Sequence, residues 1–127
     1  MAVLCGVDIV EIERIKHSFE SCGNSFRDRI FTENEIEYCE NKKQMRFASY
    51  AARFAAKEAI SKAFGTGIGE GVKWRDMEVF NDPQGKPYVV LHDRAKEIYE
   101  GMGARGISLS LSHSRDYAVA YAVIEVI

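Results

Sequence analysis

RFASYAARFAAKEAISKAF, residues 46–64, is the stretch that decides how this chain folds. It is rich in alanine and holds neither Gly nor Pro, so helix propensity is high throughout. Gly65 follows, suited to the left-handed conformation that closes a helix C-terminus. The pattern predicts a helix over 46–64. At ~100° per residue, Phe47, Ala51, Phe54, Glu58 and Lys62 share one narrow stripe, and Arg46, Arg53 and Lys57 share a neighbouring edge. An acid and an ammonium thus sit four apart at the end of an otherwise apolar stripe. An exposed Glu–Lys pair at that spacing contributes only ~0.3–0.5 kcal/mol. On a buried face a charge is costly unless paired or metal-bound. Glu58 and Lys62 are therefore candidates for chemistry as well as for an ordinary ion pair. The basic edge reads as a solvated face, or as a docking surface if the ligand is a polyphosphate.

Working outward toward the N-terminus, residues 2–9 are apolar and β-prone and read as a strand. Ile12, Ile15 and Phe19 then recur at helical spacing. Asp8 is expected at the junction, where its ordinary role is to cap the following helix. Paired with Glu58, it would instead complete an oxygen site for a hard cation such as Mg²⁺, with water and substrate phosphate filling the remaining positions. Thr32 and Glu35 have capping-box spacing, and Phe31 and Ile36 are placed for a hydrophobic staple, so another helix begins there and fades near Lys42.

Downstream, the glycines from Gly65 to Gly71 form a loop. It is no P-loop, because it follows a helix instead of preceding one and lacks the Lys-Ser/Thr ending. Residues 77–80 and 88–91 read as two strands joined at Asp82-Pro83-Gln84-Gly85. Asp93 is a candidate cap for a helix whose inner face is Ala95, Ile98, Tyr99 and Met102. Ile107, Leu109, Leu111 and His113 alternate with serines, a period-2 strand that leaves His113 on the apolar side at the strand end. In the last strand Ala118, Ala120 and Ala122 form one face and Val119, Tyr121 and Val123 the other. Both faces are apolar and both are expected to be buried. Helices can cover only one in so small a chain, so the other implies an oligomer.

Composition excludes several classes. The chain has 127 residues, a one-domain length, so a single domain over 1–127 is expected. With 17 basic and 19 acidic residues its charge is −2, which argues against nucleic-acid binding by bulk charge. No apolar run approaches the ~20 residues of a membrane span, and the first residues lack the basic start of a signal peptide. Cys5, Cys22 and Cys39 are an odd set without metal-type spacing, which fits free thiols and a cytoplasmic location.

Four blocks in order carry a resemblance. Gly6-Val7-Asp8-Ile9-Val10 with Arg14-Ile15 resembles the opening of the holo-acyl-carrier-protein synthases, the short class of 4′-phosphopantetheinyl transferases. Arg53-Phe54-Ala55-Ala56-Lys57-Glu58-Ala59, with Lys62-Ala63-Phe64-Gly65-Thr66-Gly67, is similar to the central motif of that family. Gly85-Lys86-Pro87 and Ser110-Leu111-Ser112-His113-Ser114 are similar to its third and fourth blocks. The resemblance implies an α+β fold, with an antiparallel sheet packed on a long central helix and shorter helices. It implies transfer of 4′-phosphopantetheine from coenzyme A to a serine of apo-acyl carrier protein, and a homotrimer with active sites between subunits. By motif position Asp8 and Glu58 would hold Mg²⁺ and Lys62 would contact the transferring phosphate. Val10 stands where longer relatives carry a third acid. Arg46, Arg53 and His113 are candidates for the 3′-phosphate or adenine end, and Gly65, Thr66 and Pro87 for the cleft wall. Arg14, Lys16, Arg27 and Arg29, in or just after the first helix, are candidates for docking an acidic carrier protein. The rival readings are a metal-dependent nuclease, which would want more positive charge and strand-borne acid and lysine, and a non-catalytic coenzyme A-binding subunit, which needs no metal acids.

Overall fold

The computed structural model describes residues 1–69 and 71–127; Glu70, in the glycine-rich loop, lies outside the described residues. Strand β1 (Ala2–Glu11) runs directly into α1 (Ile12–Cys22), followed by α2 (Asn24–Ile30) and α3 (Glu33–Glu40). The long helix α4 spans Arg46–Phe64, and β2 (Met77–Asn81), β3 (Pro87–Leu91), α5 (Asp93–Gly101), β4 (Ala104–His113) and β5 (Tyr117–Val126) complete the chain. The main sheet is antiparallel, in the order β1-β5-β4, and β2 and β3 form a separate hairpin. This is the expected α+β architecture, with α4 packed across one face of the main sheet.

Local chemistry explains most of the boundaries. Gly65 closes α4 in the left-handed region (φ 84°), its N–H donating to the Lys62 carbonyl. The capping box at α3 forms: the Thr32 hydroxyl accepts from Glu35 N–H, and the Glu35 carboxylate accepts from Thr32 N–H. In the β2–β3 turn Asp82 Oδ1 accepts from the N–H groups of Gln84 and Lys86, and Gly85 takes the positive φ of 90° that the reversal requires.

Close approach of sheet to helix depends on small residues. A Cβ on Gly6 would overlap the Ala59 carbonyl oxygen and come within 2.8 Å of Ala63 N. Ala118, Ala120 and Ala122 on β5, and Ala55, Ala56 and Ala59 on α4, are buried in the same core.

Two expectations change and two gain detail. Asp8 is not at a strand-to-helix junction: β1 continues to Glu11, so the residue before α1 is Glu11 and no side chain caps that helix. Asp93 forms no cap bond; it is the first residue of α5, with φ +49°, and His92 takes the cap position. A separate helix, α2, carries Arg27 and Arg29. Within the single chain only the alanine face of β5 is buried. On the other face Val7 pairs with Tyr121 and Ile9 with Val119, and Val7 and Ile9 are 52% and 64% exposed.

On another side of α4 lies a buried polar knot. Lys57, predicted on a solvated basic edge, is fully buried because α3 and the β2 entry cover that edge. Its three ammonium protons go to Glu35 Oε1 (2.8 Å), Met77 O (2.7 Å) and Trp74 O (3.1 Å). Burial pulls the Lys57 pKa down and Glu35 pulls it back up. Glu35 also accepts from Val79 N–H (2.8 Å), so one ion pair ties α3, α4 and β2 together.

Two stability predictions follow from this packing. Gly6→Ala should destabilise the fold by about 1–3 kcal/mol, because the obstacle is backbone and cannot rotate away; a urea midpoint unchanged from the parent would contradict the close approach. Lys57→Met should cost about 3–5 kcal/mol by leaving Glu35 buried and unpaired. Adding Glu35→Gln removes the stranded charge but keeps an acceptor, so the double variant should be more stable than Lys57→Met alone by denaturant titration.

Candidate active site

Asp8 stands on the inner face of β1, two residues beyond Gly6, where strand and helix come closest. Lys62, one turn from Ala59 and beside Ala63, reaches back across the gap. Its ammonium donates to Asp8 Oδ1 and to the Val7 carbonyl, both at 3.0 Å. The expected i,i+4 partner of Lys62 was Glu58, but the lysine pairs with the strand aspartate instead. Glu58, one turn earlier, lines the same cleft of about 420 Å³ with Asp8, Lys62, Arg14, Phe26 and Phe54. Burial raises the Glu58 pKa, the Asp8 charge raises it further, and Lys62 opposes both. Two oxygen-donor carboxylates thus line one cleft, with the half-exposed Lys62 side chain paired to Asp8. Val10 is buried and adds no oxygen. Among the described residues, no group of three or more His, Cys, Asp or Glu side chains converges. A hard cation held here would take two protein carboxylates and complete its shell from solvent or substrate.

A second cleft, of about 360 Å³, opens on a different side of α4, lined among others by Arg53, Pro87, His113, Tyr38, Lys42 and Asn81. Arg53 is only 2% exposed. Its guanidinium lies 4.0 Å from the centre of the Tyr38 ring and donates from Nη2 to Asn81 Oδ1 at 2.7 Å. His113 is exposed, its Nδ1 3.4 Å from the Ser114 carbonyl oxygen. Sequence reasoning singles out neither Tyr38 nor Asn81. Asn81 reads only as the residue before a turn, and its link to Arg53 spans 28 positions.

The remaining candidates are spread along the molecule. Arg46, at the start of α4, donates to both Glu40 oxygens at 3.2 Å and lies 4.3 Å from the Phe47 ring centre. Gly65 and Thr66 stand at the far end of that helix beside Lys62, with the Thr66 hydroxyl donating to the Gly67 carbonyl. Of the docking candidates, Arg14 lines the Asp8 cleft, and Lys16 is half-buried on the same helix. Arg27 pairs with Asp28 and lines a separate cleft with Phe31 and Arg75, and Arg29 is exposed.

Geometry separates the two clefts. At ~100° per residue, Arg53 points about 140° away from Glu58 and about 180° away from Lys62 around α4. One chain therefore presents the paired acids and the buried arginine on different sides of the same helix.

Comparison with known proteins agrees with the four-block resemblance. The model of the 4′-phosphopantetheinyl transferase superfamily matches residues 4–122. A holo-[acyl-carrier-protein] synthase of Ruminiclostridium cellulolyticum is 57% identical over 124 residues, covering 98% of this chain and 92% of that protein. Solved structures are similar throughout. The Helicobacter pylori holo-[acyl-carrier-protein] synthase in complex with coenzyme A superposes with a TM-score of 0.85 at 32% identity, covering 96% of this chain and all of the other. The Bacillus anthracis enzyme, in complex with coenzyme A (3′,5′-ADP), does so with a TM-score of 0.81 at 39% identity, covering 99% of this chain and 100% of that one. From its first strand to its last, this chain belongs to the 4′-phosphopantetheinyl transferase superfamily, among the holo-acyl-carrier-protein synthases.

Proposed function

We propose that this chain moves 4′-phosphopantetheine from coenzyme A to a serine hydroxyl of apo-acyl carrier protein, with Mg²⁺ held by Asp8 and Glu58. The observation that carries the reading is the meeting of Asp8, Glu58 and Lys62 in one cleft. Both acids are hard oxygen donors, and the Glu58 pKa is raised first by burial and then by the Asp8 charge. A divalent cation held by Asp8 and Glu58 would offset their charge, so this donor set fits a hard ion. When bound, Mg²⁺ supplies charge neutralisation at a diphosphate and makes nearby hydroxyl protons easier to remove.

Phosphoryl-type transfer asks a protein chiefly for alignment and charge neutralisation. In the reaction, the serine oxygen bonds to the phosphorus that carries the pantetheine arm, and the bond from that phosphorus to the bridging oxygen breaks. Adenosine 3′,5′-bisphosphate leaves with the bridging oxygen. Lys62, exposed enough to swing from Asp8 to a ligand, offsets negative charge on the transferring or leaving phosphate. Asp8 Oδ2 accepts no hydrogen bond from a described residue, which leaves it available to receive the serine proton directly or through water. Arg53 and His113 face the 3′-phosphate or adenine end, with Pro87 in the wall of the cleft. Arg14, at the mouth of the Asp8 cleft, is the basic residue best placed to meet an acidic carrier protein.

Because the two clefts lie on different sides of α4, the reading requires a second copy to supply the arginine cleft to the acids of the first. The uncovered sheet face bearing Val3, Val7, Ile9, Tyr117 and Tyr121 is the surface on which copies would join, as a homotrimer.

Asp8→Ala and Glu58→Ala should each reduce transfer by at least about a hundredfold, the scale on which single electrostatic contacts act in active sites. Intact-mass analysis of apo-carrier protein incubated with coenzyme A reads this directly, and chelator should abolish the mass gain seen with the parent chain. Parent-like turnover by both variants would sink the metal assignment. Shared sites make a second prediction. Asp8→Ala and Arg53→Gln chains, each impaired alone at limiting coenzyme A, should regain activity when unfolded and refolded together. At equal mixing about one site in four receives both intact halves. No recovery, from material that sediments as a mixed oligomer, would place both clefts' contributions within one chain.

A further inference from the structure

Two cations lie four residues apart on one side of α4, and their surroundings differ. Lys57 has a carboxylate and two carbonyls, one partner for each proton. Arg53 is almost as deeply buried, but no carboxylate among the described residues pairs with it, and its Nε is buried with no hydrogen-bond partner. Burying a guanidinium with so little compensation is costly. What it does have is neutral: the Tyr38 ring face and the Asn81 amide oxygen. The Asn81 amide is itself fixed, since Nδ2 donates to the Gly85 carbonyl at 3.0 Å while Oδ1 accepts from Arg53. A carbonyl can only accept and a guanidinium can only donate, so only this amide orientation satisfies both neighbours.

We propose that Asn81 is a positioning residue: it aims Arg53 into the cleft and locks the β2–β3 turn behind it, without neutralising the charge that then serves the 3′-phosphate of coenzyme A. This rests on the reading that the Arg53 cleft takes the nucleotide end of the donor. An aspartate at position 81 would hold the guanidinium at least as tightly but would satisfy its charge from within. It would also set a negative group beside the phosphate. The neutral amide orients the arginine and leaves its field open.

Calorimetric titration with coenzyme A and with 3′-dephospho-coenzyme A tests this. Asn81→Asp should weaken coenzyme A binding about tenfold, the loss of roughly one charge-assisted contact. Its affinity for the dephospho analogue should stay within about twofold, and its melting temperature should not fall. Asn81→Ala, which frees the guanidinium but keeps its charge, should show a smaller loss, again confined to coenzyme A. In an Arg53→Gln background Asn81→Ala should have no further effect on coenzyme A affinity, because the guanidinium that Asn81 positions is gone. If Arg53→Gln weakens coenzyme A selectively but Asn81→Asp leaves it unchanged, or weakens both ligands equally, the positioning role is overturned and Asn81 is a structural residue of the turn. If Arg53→Gln itself leaves coenzyme A affinity unchanged, the assignment of this cleft to the 3′-phosphate fails instead, and the positioning role fails with it.

Discussion

The contact on which the site depends is the one Gly6 makes with the backbone of α4. A side chain there would push the first strand away from Ala59 and Ala63. Without one, β1 lies against the helix closely enough for Lys62 to bridge to the Val7 carbonyl and the Asp8 carboxylate at once. Lys62 makes both bonds at 3.0 Å, so displacing the strand from the helix would lengthen at least one of them. The alanines of β5 extend the same economy of size across the sheet. Packing by small residues gives up some buried apolar area per residue. In exchange it brings the two backbones, and the polar groups carried on them, within bonding distance.

The opposite requirement is met around Lys57. There the fold surrounds a charge completely, and what it gains is definition more than stability. A buried ion pair returns little net free energy against its desolvation, while losing one partner is severe. Lys57 thus fixes how α3 and the β2 entry sit on α4, and β2 ends at Asn81, beside the arginine cleft. The capping box at Thr32 shares Glu35 with this knot, so a helix start and a core ion pair use the same carboxylate. Thr32 and Asn34 also hold Glu78, whose pKa is lowered by those bonds and by His92 despite the opposing effect of burial. Thr32, Asn34 and Glu35, at the start of α3, are thus held in structural contacts.

Elements governed by local chemistry were legible in the sequence. The bounds of α4 follow from an unbroken run of helix formers and one glycine. The hairpin turn, the capping box and the alternating strands are likewise set by neighbours in sequence. Depth was not legible. Spacing gives the angle at which Lys57 leaves the helix but not what lies above it, so a covered edge reads as an open one. The end of β1 was misread because Ile12 begins the helical period while residues 9–11 still fit either state, which moved Asp8 from a junction to the middle of a packed strand. The short helix α2 has too few turns to show a period of its own. Of the candidate site, Glu58 and Lys62 stood out on the helical stripe and Asp8 by its proposed pairing with Glu58, while Asn81 and Tyr38 did not, since only tertiary folding brings them to Arg53.

Placing two incomplete clefts on different sides of one helix has a physical consequence. α4 is covered by the sheet, α3 and the hairpin, so a ligand cannot pass through that body to touch both sides. The alternative to a second copy is a ligand wrapped around the outside, which would leave most of its length in water and lose the desolvation that makes charge contacts strong. The uncovered sheet face bears on the same proposal from another direction. Val7, Ile9, Tyr117 and Tyr121 form a contiguous apolar surface of the kind that single soluble chains rarely leave open. In the proposed homotrimer, closed rotational symmetry would cover that face with other copies and leave no open edge to propagate. In the proposed assembly, burial of the sheet and completion of the site would be one event, with the acids of one chain gaining a basic cleft as its apolar face leaves water.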